Sequence, residues 1–399
     1  MPWPGIAAKG AAMSLRSALH LSRRTAPAFA VMGSLWGAFA AMVPQIKLAL
    51  GAGDAAFGAA LFASALGLVT AMWLAPLADR RLGVRAMPMA AAMLACAFLL
   101  PGIAPGLVVF GLAMGLCGLS SGLLDVVMNA RVSEAEARAD APLMNLNHAM
   151  FSLAYMFGAI WAGIGREAGL PALAIFAPLT LIGLLATRAM HQPVADTSGD
   201  DAGASGGFPL RVVVWGGLIV TVGFMAENAS EGWSALHLER TLGGRAAEGA
   251  LGPTLLGLTM FVGRLSGQVV ADRWRARTVL VWASLVSAAG SATAAWAGSI
   301  AVAYVGFAAL GLGVSVLAPM ALAMVGRAVP PRHRTNSIAK VAVIGFLGFF
   351  IAPPLMGLVA QGYGLRIAFS AIAVMLLAVP VFVAMLVRVS AAPSVESRA

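Results

Sequence analysis

The chain has 399 residues, 60% of them hydrophobic and only 11% charged, with a mean hydropathy of +0.89. A soluble domain carries roughly 25% charged residues, so this composition excludes a sizeable water-soluble domain and points to lipid. A formal net charge of +10 invites a nucleic-acid reading, but that requires a folded basic face, and here the arginines punctuate apolar runs. No nucleic-acid partner is expected.

Residues 1–26 are basic and read as a cytoplasmic tail. The apolar run behind them is long enough to be a retained first helix rather than a cleaved leader. Runs of about 20 apolar residues, the length that crosses a bilayer, fall near 27–50, 55–77, 87–104, 106–130, 143–165 and 170–189. His191 to Phe208 is polar, with Asp196, Asp200 and Asp201 among glycines, serines and alanines, and it divides the chain near its middle. Spans resume near 211–233, 249–270, 278–298, 300–326, 336–361 and 365–388. The expected fold is an all-α polytopic membrane protein of twelve transmembrane helices in two pseudo-symmetric six-helix bundles. The bundles occupy 27–190 and 211–388, joined by a linker at 191–210 and followed by a tail at 389–399.

Alternating these spans from a cytoplasmic N-terminus places 20 of the 26 lysines and arginines on the inner side. Lys47, Arg166, Arg240, Arg245 and Arg366 fall outside, and Arg264 falls within a span. That asymmetry is the positive-inside rule, and it predicts a bacterial-type inner membrane protein with both termini cytoplasmic. The two cysteines, Cys96 and Cys117, lie in apolar runs without metal-ligand spacing. Neither a metal nor a cofactor is expected. No phosphate-binding loop or nucleophile elbow with a triad occurs, which argues against an enzyme or an ATP-driven pump.

The halves repeat one feature. Leu77-Ala78-Asp79-Arg80-Arg81-Leu82-Gly83-Val84-Arg85 follows the second span, and Val270-Ala271-Asp272-Arg273-Trp274-Arg275-Ala276-Arg277 follows the eighth. Both put Ala-Asp-Arg at the cytoplasmic end of a span with further arginines behind it. The first loop resembles the signature loop of the major facilitator superfamily, Gly-x-x-x-Asp-Arg/Lys-x-Gly-Arg/Lys-Arg/Lys. It departs where Ala75 replaces the first glycine and where an extra residue separates Arg80 from Gly83; in the second copy Gln268 replaces that glycine. Three further segments, Asp125-Val-Val-Met-Asn129, Pro142 to Ser152 and Glu227 to Ser234, are similar to bacterial carriers near the fucose permeases and rhizopine-transport proteins. This resemblance implies a monomeric secondary transporter that moves a sugar, polyol or similar small solute with protons. It also implies a cytoplasmic gate drawn from Asp79, Arg80, Arg85, Asp272 and Arg273.

An ionisable group inside a span is expensive and therefore a functional candidate. In the fourth span Gly111, Gly115, Gly118, Gly122, Asp125 and Asn129 recur at three- and four-residue steps, so they share one face. A glycine face invites a second backbone, which turns Asp125 into the bundle. Asn145, His148, Ser152 and Tyr155 form a similar polar face in the fifth span, so Asp125 and His148 are placed to meet. Glu227 lies deep in the seventh span, with Asn228, Glu231 and Trp233 beside it. Asp125, Glu227 and His148 are the expected proton-coupling residues. Asn129, Asn145, Ser152, Tyr155, Asn228, Glu231 and Trp233 are the expected substrate contacts, Trp233 having an interfacial-belt role as its alternative. Lys340 and Arg264, near span ends, read as snorkelling cations. Two other functions stay open: an exporter of drugs or metabolites, marked by a large apolar aromatic cavity, and a non-transporting receptor, marked by mutually paired polar groups and no cavity.

Overall fold

The computed structural model describes residues 14–192 and 209–391, without the side chains of 267–272, 331, 332, 335 and 391. The expected tail before Ser14, most of the linker and the end of the second tail lie outside the described residues, as does the Asp272 side chain.

Thirteen α-helices follow in chain order: α1 (Leu15–Leu21), α2 (Ala26–Ala49), α3 (Asp54–Leu82), α4 (Ala86–Ala97), α5 (Leu107–Ala139), α6 (Met144–Glu167), α7 (Ala172–Ala186), α8 (Leu210–Leu236), α9 (Ala246–Arg273), α10 (Ala276–Ala295), α11 (Ile300–Ala328), α12 (Pro331–Leu376) and α13 (Val379–Ala391). No strand occurs among the described residues. With no water in the hydrocarbon to bond backbone groups, a chain this apolar has to satisfy them within helices.

Nine continuous stretches among the described residues are long and apolar enough to cross a bilayer. Two of them, Asp54–Ile103 and Asn336–Ser390, turn back on themselves, and α9 adds one more pass, which makes twelve. Both reversals use a glycine with positive φ, Gly83 (52°) and Gly364 (83°), a conformation that costs a side-chain-bearing residue dearly. An even number of passes leaves both ends of the chain on one face, here termed the terminal face; the opposite one is the distal face.

The helices outrun the apolar windows at the terminal face, α3 reaching Leu82 and α5 reaching Ala139. Charge ends an apolar run, but it does not end a helix that can carry its arginines into water. The short α1 was not expected from the sequence; Ser14 caps it, accepting from the Ser17 amide at 3.2 Å.

Packing follows a pseudo-twofold relation. In the first half α2 lies on α6 and α3 on α5; in the second α8 lies on α12 and α9 on α11. The halves meet through α6 against α9 and α3 against α12, each contact the symmetry counterpart of the other. Glycines allow backbones to touch where lipid offers no hydrophobic drive for association. A Cβ on Gly37 would overlap the Tyr155 carbonyl, one on Gly158 the Ser34 carbonyl, and one on Gly118 the Ser64 carbonyl. Across the interface between halves, Gly58 and Gly357 bring α3 and α12 equally close near the distal face.

Gly37→Val therefore forces α2 and α6 apart. Overpacking of this kind costs about 3 kcal/mol, seen as a lower melting temperature of the detergent-solubilised protein. Unchanged melting would mean that the two helices do not pack backbone to backbone.

Candidate functional site

A cavity of about 260 Å³ lies between the halves. Its wall comes from α2 (Phe29, Met32, Trp36), α3 (Ser64, Ala65, Leu68), α5 (Gly118, Ser121, Asp125, Met128, Asn129), α6 (His148, Phe151), α8 (Phe224, Glu227, Asn228, Glu231), α9 (Arg264) and α12 (Phe346, Phe349). The glycine face of α5 packs on α3, so the residues that continue it, Asp125 and Asn129, are carried to the cavity edge.

A chain of polar contacts crosses this cavity. Asn129 donates through Nδ2 to the Asp125 backbone oxygen at 2.8 Å and to its carboxylate at 3.0 Å. The same amide's oxygen lies 3.2 Å from His148 Nε2. That oxygen can only accept, so the contact requires the proton on Nε2 of the imidazole. The His148 ring also stands edge-on to Phe29, 5.0 Å between centroids. Arg264 then joins the halves. Its Nη1 donates to Ser152 Oγ at 2.5 Å and to the His148 backbone oxygen at 3.4 Å, and its Nη2 reaches Glu227 Oε1 at 3.2 Å. The guanidinium lies 5.8 Å from the Phe151 ring centre. Arg264 and Glu227 are 15% and 12% exposed, so the pair is held largely away from water.

Of the residues singled out from the sequence, Asp125, Asn129, His148, Glu227, Asn228 and Glu231 line the cavity together. Asp125 and His148 do not touch; Asn129 bridges them. Ser152 sits just behind the wall as an acceptor for Arg264. Tyr155 is buried one turn further along α6, its hydroxyl without a hydrogen-bond partner. Asn145 is half-buried and outside the lining. Trp233 is neither a wall residue nor an interfacial one: it is fully buried, edge-on to Phe57 of α3 at 6.2 Å, and helps to seal the halves together. Of the two cysteines, Cys117 is buried and Cys96 is exposed on the outer surface of α4.

Arg264 corrects the snorkelling assignment. It lies nine residues before the end of α9, about 14 Å into the helix at 1.5 Å per residue, and is committed to polar partners there. Asn147 escaped the sequence reading as well. It accepts from Thr25 Oγ1 at 2.8 Å and donates to Ser22 Oγ and the Leu143 oxygen, each at 2.9 Å, tying the start of α2 to α6.

At the terminal face Asp79 pairs with Arg131 of α5, which is 2% exposed and also donates to Glu134 at 2.7 Å. Gln192 donates to the Arg131 backbone oxygen at 2.9 Å. Arg80, Arg85 and Arg273 are exposed and form no ion pair among the described residues. The partner of Asp79 is thus Arg131 on another helix, not the arginines that follow it in sequence, and the pair lies within one half.

Between the halves, ion pairs cluster at the distal face. Arg166 of α6 grips Glu239 through two bonds of 2.7 and 2.8 Å. Asp54 of α3 accepts from Arg240 at 2.7 Å while also pairing with Lys47 at 2.9 Å. Glu167 faces Arg245 at 3.4 Å and accepts from the Ala247 amide at 3.0 Å; Gln361 accepts from the Ala55 amide at 3.2 Å. The ion pairs described between the halves, Arg166–Glu239, Asp54–Arg240 and Glu167–Arg245, all lie at the distal face. The molecule is latched on one side of its cavity.

Comparison with known proteins agrees with this architecture. An uncharacterised MFS-type transporter of Yersinia pestis is 29% identical over 367 residues, covering 88% of this chain and 92% of the relative. Membrane protein MosC of Rhizobium meliloti is 28% identical over 340 residues, covering 84% and 83%. Among solved structures, a D-xylose–proton symporter superposes with a TM-score of 0.74 at 13% identity over 93% of this chain and 97% of that one. A bacterial homologue of the lysosomal transporter Spinster, in an inward-facing and occupied conformation, gives 0.70 at 14% identity over 95% and 98%. The fucose transporter FucP in its outward conformation gives 0.57 at 18% identity over 90% and 98%. The family model of the Major Facilitator Superfamily matches residues 25–297 and 217–399. Twelve passes in two related halves around one cavity, together with that match, make this chain a member of the Major Facilitator Superfamily of transporters.

Proposed function

We propose that this protein is a proton-coupled carrier that takes up a small polar solute, a sugar, polyol or similar metabolite, across the bacterial inner membrane by alternating access. The observation that carries the reading is the cavity between the halves, with Asp125, His148, Glu227 and Arg264 in one wall. Ionisable groups at this depth are the usual means of moving protons with a solute. Asp125 is the proton-linked carboxylate, Glu227 the second and His148 their assistant. With the positive-inside orientation, both termini are cytoplasmic, the latched distal face is periplasmic and the conformation is inward-facing. Asp79 and Arg131 brace the cytoplasmic ends of α3 and α5 within the first half. The protein acts as a monomer.

A cavity argues against a non-transporting receptor. Six aromatic side chains in the wall (Phe29, Trp36, Phe151, Phe224, Phe346, Phe349) favour the exporter as the second reading. The two separate in proteoliposomes containing a pH-sensitive dye. With external sugars and polyols offered one at a time, a carrier of the proposed kind gives solute-dependent proton entry with the solute. Proton movement opposite to the solute, elicited by apolar drugs alone, would favour the exporter and sink the uptake reading.

A further inference from the structure

A second cavity, an open cleft of about 630 Å³, lies at the terminal face and is built wholly by the second half. It sits where α9 turns into α10 and where α11 and α13 end. Trp274, Arg275 and Arg277 come from the turn and the start of α10, Met324 and Arg327 from α11, and Val387 from α13. The three arginines are exposed, and none makes an ion pair or side-chain hydrogen bond among the described residues. No carboxylate stands in the wall. The positive-inside rule accounts for arginines on this face, but it does not require three of them to converge on one cleft.

The matching place in the first half is built differently. There α5 is the counterpart of α11, and its Arg131 is 2% exposed and satisfied by Asp79 and Glu134. In the second half the residues after Arg327 run Ala328-Val329-Pro330-Pro331-Arg332-His333-Arg334, without a carboxylate. Asp272 is the one acidic residue in the adjoining turn, against Arg273, Arg275 and Arg277. The first half neutralises its arginine internally; the second holds its positive charge outward.

The cleft combines two chemistries. Guanidinium groups suit phosphate, which they grip through paired N–H bonds, and the start of α10, which no side chain caps, adds backbone N–H groups at the same place. Trp274, 59% exposed, has the amphipathic ring that settles at the headgroup level of a bilayer. Met324 and Val387 make part of the wall apolar. Beyond it, Trp282 of α10 and Val381 of α13 are 62% and 59% exposed, a surface open to acyl chains. A free phosphate would use the arginines alone, whereas a lipid uses both parts of the site. Three cations outnumber the charge of one phosphodiester, so a headgroup with two phosphates matches them better.

We propose that this cleft binds the headgroup of an anionic phospholipid, and that doubly charged diphosphatidylglycerol binds more tightly than singly charged phosphatidylglycerol. The inference depends on the membrane fold and on neither the solute nor the direction of transport.

The test uses the purified full-length protein, delipidated in a neutral detergent. It is titrated with tetraoleoyl diphosphatidylglycerol, dioleoyl phosphatidylglycerol, dioleoyl phosphatidylcholine or inorganic phosphate, and the readouts are melting temperature and the mass of the lipid-bound protein. Diphosphatidylglycerol raises the melting temperature most and stays bound, phosphatidylglycerol does so less, and phosphatidylcholine and phosphate have little effect. Combining Arg275→Gln, Arg277→Gln and Arg327→Gln weakens diphosphatidylglycerol binding about 100-fold, about fivefold for each arginine. Combining Arg16→Gln, Arg23→Gln and Arg188→Gln removes the same charge from the terminal face and leaves binding within about threefold of the parent, since none of these lines the cleft. Diphosphatidylglycerol binding no tighter than phosphatidylcholine would overturn the proposal, as would phosphate matching the lipid or the second combination losing as much as the first. Should the first combination fail to fold, Arg275→Gln and Arg277→Gln made singly decide the matter: unchanged binding in both places the lipid elsewhere. None of these outcomes bears on the carrier reading.

Discussion

Asp125→Asn abolishes proton-driven accumulation of the solute in proteoliposomes, down to the level of protein-free vesicles, and leaves solute counterflow measurable. Asp125 and Glu227, both in the cavity lining, differ in how they are held. Glu227 faces a guanidinium, so its charge is balanced in place and a proton arriving there must first displace Arg264. Asp125 has only the Asn129 amide of its own helix, and no cation lies in its bonding contacts. A proton can therefore come and go at Asp125 with a small local rearrangement. Asparagine keeps the size and polarity of the side chain and removes only the titration. Exchange of labelled for unlabelled solute needs no net proton movement, so it survives. Accumulation at the wild-type level in the variant would remove Asp125 from the coupling role.

Arg264→Met lowers the stability of the detergent-solubilised protein by about 3–5 kcal/mol, the cost of stranding one member of a buried ion pair. The effect is large because Arg264 serves both halves at once, bonded to Ser152 and the His148 carbonyl on α6 and to Glu227 on α8. Adding Glu227→Gln to Arg264→Met recovers much of the loss, since the uncompensated charge then disappears. Thermal melting of the two single variants and the double variant measures this coupling. Strict additivity of the single effects, or an Arg264→Met protein within about 1 kcal/mol of the parent, would show that Arg264 and Glu227 do not act as a coupled buried pair.

How far the sequence foretold these features depends on the distance over which each one is determined. Every span was legible because the bilayer imposes length and apolarity locally, residue by residue. The ends of α3 and α5 were not, because hydropathy marks the edge of the lipid while the helix runs on into water. Asp125, Asn129 and His148 could be found from spacing alone, since three- and four-residue steps fix a helix face and glycines reveal which way it points. Arg264 was misread because its expected span stopped at 270, six residues beyond it, whereas α9 continues to Arg273 and buries it deeper. Arg131 was missed for another reason. It lies 52 residues from Asp79 on a different helix, and spacing along one helix does not reveal a partner on another. Trp233 sits where an interfacial tryptophan would, and only the packing of α3 against the second half turns it inward.

The distal latch sets a scale for the energy difference between the two faces. Arg240 and Arg245 are 42% and 72% exposed, and pairs of that kind are worth roughly 0–1 kcal/mol each. The Gly58–Gly357 contact carries no polar group that separation would strand, and its loss forfeits only dispersion. The better-sheltered clasp, Arg166 on Glu239, sits at the mouth, where water can enter as it opens. Together these make a closure of a few kcal/mol, shallow enough to be overcome by the binding of one solute and one proton. A deeper seal would trap the protein on one side of its cycle, and a looser one would let solute leak. The modest worth of surface ion pairs, a weakness in a purely structural protein, suits a door that has to swing both ways.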